Sequence, residues 1–226
     1  MSSSNTGSND RRALLSGLGV AAVAGVALGS SRAEAKKKSA FEPRRHAEDA
    51  WMDALPGTHR VFIDTDDAAG ASNALLYATN ILNAQASGYQ GKDADMAIVV
   101  CLRHASTPLG YDDAMWAKYG ATFGALMRGA GPGGGAAAGA ETAPPTKNAQ
   151  ATALGNAAKR GVQFAICNAA TTLMAGMIAR QAGTKAEDVH DELVAHLVPN
   201  GRMVPAGVIA VTRAQEYGYS FLYAAG

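Results

Sequence analysis

Two segments constrain the fold more than any others. Met96-Ala97-Ile98-Val99-Val100-Cys101 and Val162-Gln163-Phe164-Ala165-Ile166-Cys167 are apolar almost without interruption. A strand with one wet face alternates apolar and polar side chains, so a short continuous apolar run implies burial on both faces. His59 to Asp64 reads as a first strand of the same kind. Between these runs the apolar residues take helical spacing, as at Leu75, Leu76, Ala78, Ile81 and Leu82. Buried strands alternating with helices predict an α/β fold: a single doubly wound, mostly parallel sheet with helices on both faces.

The pass along the chain gives helices over 71–86, 112–127, 151–160, 171–182 and 185–197. A fourth apolar strand is expected at Val208-Ile209-Ala210-Val211, a helical turn over 212–217 and a final strand over 219–223. Asp112 and Asp113 suit the positive N-terminal end of the second helix. Gly129 to Ala140 is nearly all Gly and Ala, with Pro144-Pro145 soon after. Residues 128–150 therefore read as a flexible insertion, either a tolerated surface loop or a lid.

Upstream of this domain the order of regions is that of a secretory signal. A polar start leads to Arg11-Arg12, an apolar stretch from Ala13 to Gly29, and Ala33-Glu34-Ala35, a small-x-small cleavage pattern. The paired arginines followed by Ala13-Leu14-Leu15 resemble a twin-arginine signal. The apolar stretch, interrupted by Gly17, Gly19 and Gly25, is short for a span across a bilayer about 30 Å thick. Cleavage after Ala35, release from the membrane and a periplasmic or other extracytoplasmic location are the expectation. Residues 36–58 form a leader in which Trp51, Met52 and Leu55 are placed to pack on the domain as a short helix. Residues 59–226 form the domain.

After residue 35 the chain carries 17 basic and 17 acidic residues. That balance gives no support for a nucleic-acid partner, which normally leaves a basic footprint. Two cysteines are too few for a disulfide framework. Cys101 and Cys167 are one bridge, two buried apolar residues, or a reactive thiol with or without a partner.

Ligands of parallel sheets bind outside the carboxyl ends of the strands. There the sequence delivers Asp64 from the first strand, Cys101 with Arg103 and His104 from the second, and Cys167 with Asn168 from the third. Arg103 has the chemistry to hold an anion and His104 to shuttle a proton. Cys101-x-x-His104 has metal-pair spacing, but no second pair accompanies it, so no metal is assigned. No cofactor is implied. A cysteine at a strand-to-helix junction is favoured as a thiolate by the helix amides, and a thiolate accepts sulfur or attacks electrophiles.

Gly161 to Asn168, followed by Val204-Pro205-Ala206-Gly207-Val208-Ile209-Ala210-Val211 and Ala214-Gln215-Glu216-Tyr217-Gly218-Tyr219, resembles the DsrE/DsrF-like family of sulfur-relay proteins. In that family a strand ends in a cysteine that carries a persulfide, and a Val-Pro-Ala-Gly-Val segment leads to a Gln-x-x-Gly-Tyr ending. The resemblance implies a small doubly wound α/β domain assembled as a homo-oligomer, trimer or hexamer. It also implies Cys167 as the catalytic thiol; Asp64, Cys101, Arg103, His104 and Asn168, delivered to the same edge of the sheet, are the candidate ligand-binding neighbours. A sulfur donor or acceptor protein is the implied partner. The sequence departs from the family where Asn168-Ala169-Ala170-Thr171 stands for Gly-Asn-Thr, and in its export signal. The alternative is a non-enzymatic oligomeric protein that binds a small ligand in the same place, with Cys167 buried and inert.

Overall fold

The structure is a computed structural model that describes residues 42–129 and 143–226. The signal and the Gly/Ala-rich part of the insertion lie outside the described residues. Strands β1 (His59–Thr65), β2 (Met96–Leu102), β3 (Gln163–Cys167), β4 (Gly201–Val204) and β5 (Ser220–Tyr223) form one sheet in the order β4-β3-β2-β1-β5. Every adjacent pair is parallel. The fold is thus the doubly wound α/β class expected from the apolar runs.

Side-chain alternation divides the core into two layers. Val61, Ile63, Ile98, Val100, Phe164 and Ile166 point to one face. Buried residues of α2 (Ala68–Tyr89), α3 (Asp113–Met127), α4 (Ala151–Lys159), α5 (Asn168–Ala182) and α6 (Ala186–Ala195) join them there. Phe62, Val99, Cys101, Ala165 and Val204 point the other way, against Ala210 and Ala214 of α7 (Gly207–Glu216) and Met52 of α1 (Ala50–Ala54). Each fully buried large side chain contributes about 1.5–3 kcal/mol, and Phe62, Ile63, Phe123 and Phe164 are all fully buried. Two helices begin on aspartate caps. Asp67 Oδ1 accepts from Gly70 N at 2.6 Å, and Asp112 Oδ1 accepts from Ala114 N and Met115 N at 3.0 and 3.2 Å.

The fourth strand differs from expectation. Val208 to Val211 belongs to α7, where Val208 and Ile209 are exposed, and the strand is Gly201–Val204 instead. A run of four apolar residues cannot separate strand from helix by periodicity. Here Pro205 follows the strand and Ala206 caps the helix. The last strand also departs from full burial, because β5 is an edge strand and all four of its side chains are exposed.

The described C-terminal end of the insertion and the end of the leader are more tightly held than their composition suggests. Asn148 is buried, and its Nδ2 donates to Leu109 O at 2.8 Å and Tyr111 O at 2.9 Å. A Cβ on Gly120 would collide with Pro145 O. The end of the 128–150 stretch is therefore packed against α3. Met52 is fully buried, and its carbonyl accepts a 2.7 Å hydrogen bond from Tyr219 Oη. Among the described residues no helix is long and apolar enough to cross a membrane.

Candidate functional site at the carboxyl edge of the sheet

All strands run the same way, so the ends of β1, β2, β3 and β4 meet at one edge. A cavity of about 450 Å³ opens there. Arg103, His104 and Ala105 line it from the segment after β2. Cys167, Ala169, Ala170, Leu173 and Met174 line it from the β3–α5 junction. Ala206, Gly207 and Val208 come from the start of α7, and Leu126 and Gly129 from the end of α3.

Cys167 caps α5 at the N-terminal end, with its side chain free of any capping bond. Its carbonyl accepts from Thr171 Oγ1 at 2.9 Å, and Thr171 Oγ1 lies 2.6 Å from the buried Tyr111 hydroxyl. Burial drives the Tyr111 phenol well above the usual tyrosine range. Ala169 N donates to Pro205 O at 3.2 Å, joining the start of α5 to the loop that leads into α7. Two helix starts thus border the cavity beside one thiol. The first amides of a helix lack intrahelical partners and favour negative charge.

On the cavity wall, Arg103 is locked to Asp64, which stands behind it. Arg103 Nε donates to Oδ1 at 2.8 Å and to Oδ2 at 3.1 Å, and Nη2 donates to Oδ2 at 2.8 Å. These bonds hold the guanidinium above its ordinary pKa. A second carboxylate, Asp66, lies 4.0 Å from Nη1 and accepts from Tyr223 Oη at 2.8 Å. His104 has φ +51°, in the left-handed region that bulky residues seldom occupy. It is kept there by its neighbours. Ala105 N donates to Asp66 O at 2.9 Å, Arg103 N to Thr65 O at 3.3 Å, and Ser106 Oγ to Arg103 O at 2.8 Å.

Cys101 is fully buried on the α7 side and does not line the cavity. Burial, then the nearby Asp64 charge, pushes its thiol well above the usual range. Cys101 pairs in register with Ala165, so Cys167 lies two residues further along the neighbouring strand. Ordinary strand spacing and rise give a Cα separation on the order of 8 Å, beyond the reach of a disulfide without backbone movement. Both thiols are free.

Of the residues singled out in the sequence, Cys167, Arg103 and His104 are brought together at the cavity. Asp64 stands behind Arg103. Asn168 does not line the cavity, and its Oδ1 lies 2.7 Å from His190 Nε2. Sequence reasoning missed the start of α7, because Val-Pro-Ala-Gly reads as the entry to a strand. It also missed Leu173 and Met174, which look like any apolar positions of a helix.

Fold and site together define a class: an all-parallel α/β domain with one largely buried thiol at the wall of a cavity on the carboxyl edge. The sequence matches no family model and has no significant match among curated proteins.

Proposed function

We propose that this chain is an exported DsrE/DsrF-like protein that carries sulfane sulfur as a persulfide on Cys167, acting as a homo-oligomer. The observation that carries the reading is the contrast between two thiols on adjacent strands. Cys167 borders an open cavity and a helix start, whereas Cys101 is sealed beneath α7. In the loading step the Cys167 thiolate attacks the outer sulfur of a donor. A bond forms from Sγ to that sulfur, the donor's sulfur–sulfur bond breaks, and the donor thiolate leaves with the electron pair. Bordering helix amides favour the negative charge that a persulfide bears. His104, at the same cavity, is the candidate to move the proton.

The test is intact mass spectrometry after incubation with inorganic polysulfide. The carrier reading expects a gain of one sulfur, reversed by a reducing thiol and mapped to Cys167. Unchanged mass at every polysulfide concentration overturns it.

One observation favours the second reading, a binding module with an inert thiol: Cys167 is only 6% exposed. Alkylation of the folded protein separates the two. A Cys167 that reacts only after unfolding supports the binding module.

A further inference from the structure

The carrier reading leaves the donor open, and the cavity wall narrows it. The lining is mainly apolar, with Leu126, Leu173, Met174, Val208 and the paired Ala169 and Ala170 among its residues. Arg103 is the permanently charged residue on that wall among the described residues, and its charge is already committed. Asp64 takes its Nε and Nη2 hydrogen bonds, and Asp66 lies 4.0 Å from Nη1. One cation therefore faces two carboxylates. A doubly charged oxyanion entering this space would meet the helix-start amides but no uncommitted cation among the described residues to offset the hydration it sheds. An alkyl chain entering it would shed water favourably.

We propose that the donor to Cys167 is an organic hydropersulfide, R–S–SH, whose short apolar R group occupies the Leu173–Val208 wall, and that thiosulfate-type oxyanions are excluded. The proposal rests on the carrier reading above. The step is Cys167–SH plus R–S–SH giving Cys167–S–SH plus R–SH. The Sγ–S bond forms as the donor S–S bond breaks, and the electron pair leaves with R–S⁻. That thiolate gains the proton that Cys167 gives up. No oxidant or reductant is consumed.

Loading rates of the mature chain with methyl, ethyl, propyl and butyl hydropersulfide, inorganic polysulfide and thiosulfate test the proposal. Mass spectrometry at low donor concentration is the readout. Burial of the chain predicts a rise of about fourfold for each added methylene, with thiosulfate slower than any alkyl donor. Leu173 is half exposed, so Leu173→Asp is compatible with folding, which circular dichroism verifies. This variant lowers the butyl-to-polysulfide rate ratio by about tenfold. Rates independent of chain length, or thiosulfate as fast as the butyl donor, overturn the proposal. If polysulfide loads while alkyl donors do not, the donor assignment falls and the carrier reading stands. If no donor loads, polysulfide included, both fall.

Discussion

Gly207 sits so close over Cys101 that a Cβ on it would stand 3.0 Å from the cysteine sulfur and 2.7 Å from Arg103 Cβ. The start of α7 therefore reaches the sheet only because residue 207 has no side chain. Gly207→Ala is expected to destabilise the fold by about 1–3 kcal/mol, the range for overpacking. Cys101→Ala should recover part of that loss. A double-mutant cycle by urea denaturation measures the coupling, and additive effects would show that the two residues do not press on each other.

The two thiols should separate cleanly in function. Cys167→Ser is expected to fold normally and to take up no sulfur from polysulfide. Cys101→Ala should load like the parent chain, with a stability loss of roughly 1 kcal/mol for a small core truncation. Mass spectrometry and thermal melts on the two variants provide the check. Loading that survives Cys167→Ser excludes the Cys167 mechanism.

The Asp64–Arg103 pair is nearly dry, with side chains 6% and 14% exposed. Removing Arg103 leaves Asp64 without a counterion in a place that water scarcely reaches, and removing Asp64 leaves Arg103 with only Asp66, 4.0 Å away. Asp64→Asn or Arg103→Leu alone is expected to cost about 3–5 kcal/mol, and the double variant less than either single one. Chemical denaturation of the three proteins gives the comparison.

Alkaline pH should weaken the fold through buried protonated groups. The thiol of Cys101 is driven up by burial from an ordinary 9.0, and the phenol of Tyr219 is pushed up from 10.0 to about 12, again chiefly by burial. The unfolded chain releases both protons first, so it is favoured as pH rises. For Tyr219 the stability is complete below pH 10 and is lost progressively towards pH 12, by up to ~2–3 kcal/mol. Tyr219→Phe removes the hydrogen bond to Met52 O and should also make the stability-versus-pH curve shallower over that window. An unchanged slope would show that the phenol does not contribute.

Export is expected to depend on the paired arginines. Changing Arg11 and Arg12 to lysine should leave uncleaved precursor in the cytoplasm, visible as a larger band on fractionation. Unimpaired processing would rule out the twin-arginine assignment.

The three central strands were legible because continuous apolar runs such as Ile98-Val99-Val100 have only one stable home in a sheet covered on both sides. Both edge strands were harder. β4 carries the exposed Arg202 between Gly201 and Met203, and β5 exposes Phe221, Leu222 and Tyr223. The last strand was nonetheless legible over 219–223, whereas β4 was missed and a strand was expected at 208–211 instead. Cys167, Arg103 and His104 were found from the rule that parallel strands deliver ligands at their carboxyl ends. The role of Arg103 was only half legible, since Asp64 lies 39 residues earlier and the pairing depends on the register of β1 with β2. The apolar wall from α5 and α7 could not be read before it was known which way those helices enter the site.

The pairing of β5 with β1 bears on how the chain assembles in time. Ser220 Oγ donates to Arg60 O across 160 residues of sequence, and β5 is the strand that covers the outer side of β1. Until β5 arrives, β1 remains an open edge carrying Val61, Phe62 and Ile63, able to pair with another copy of itself. Such long-range closure is slow. The hazard for this protein therefore lies in the interval between synthesis of the first strand and docking of the last, when concentration and temperature decide between a finished sheet and an aggregate.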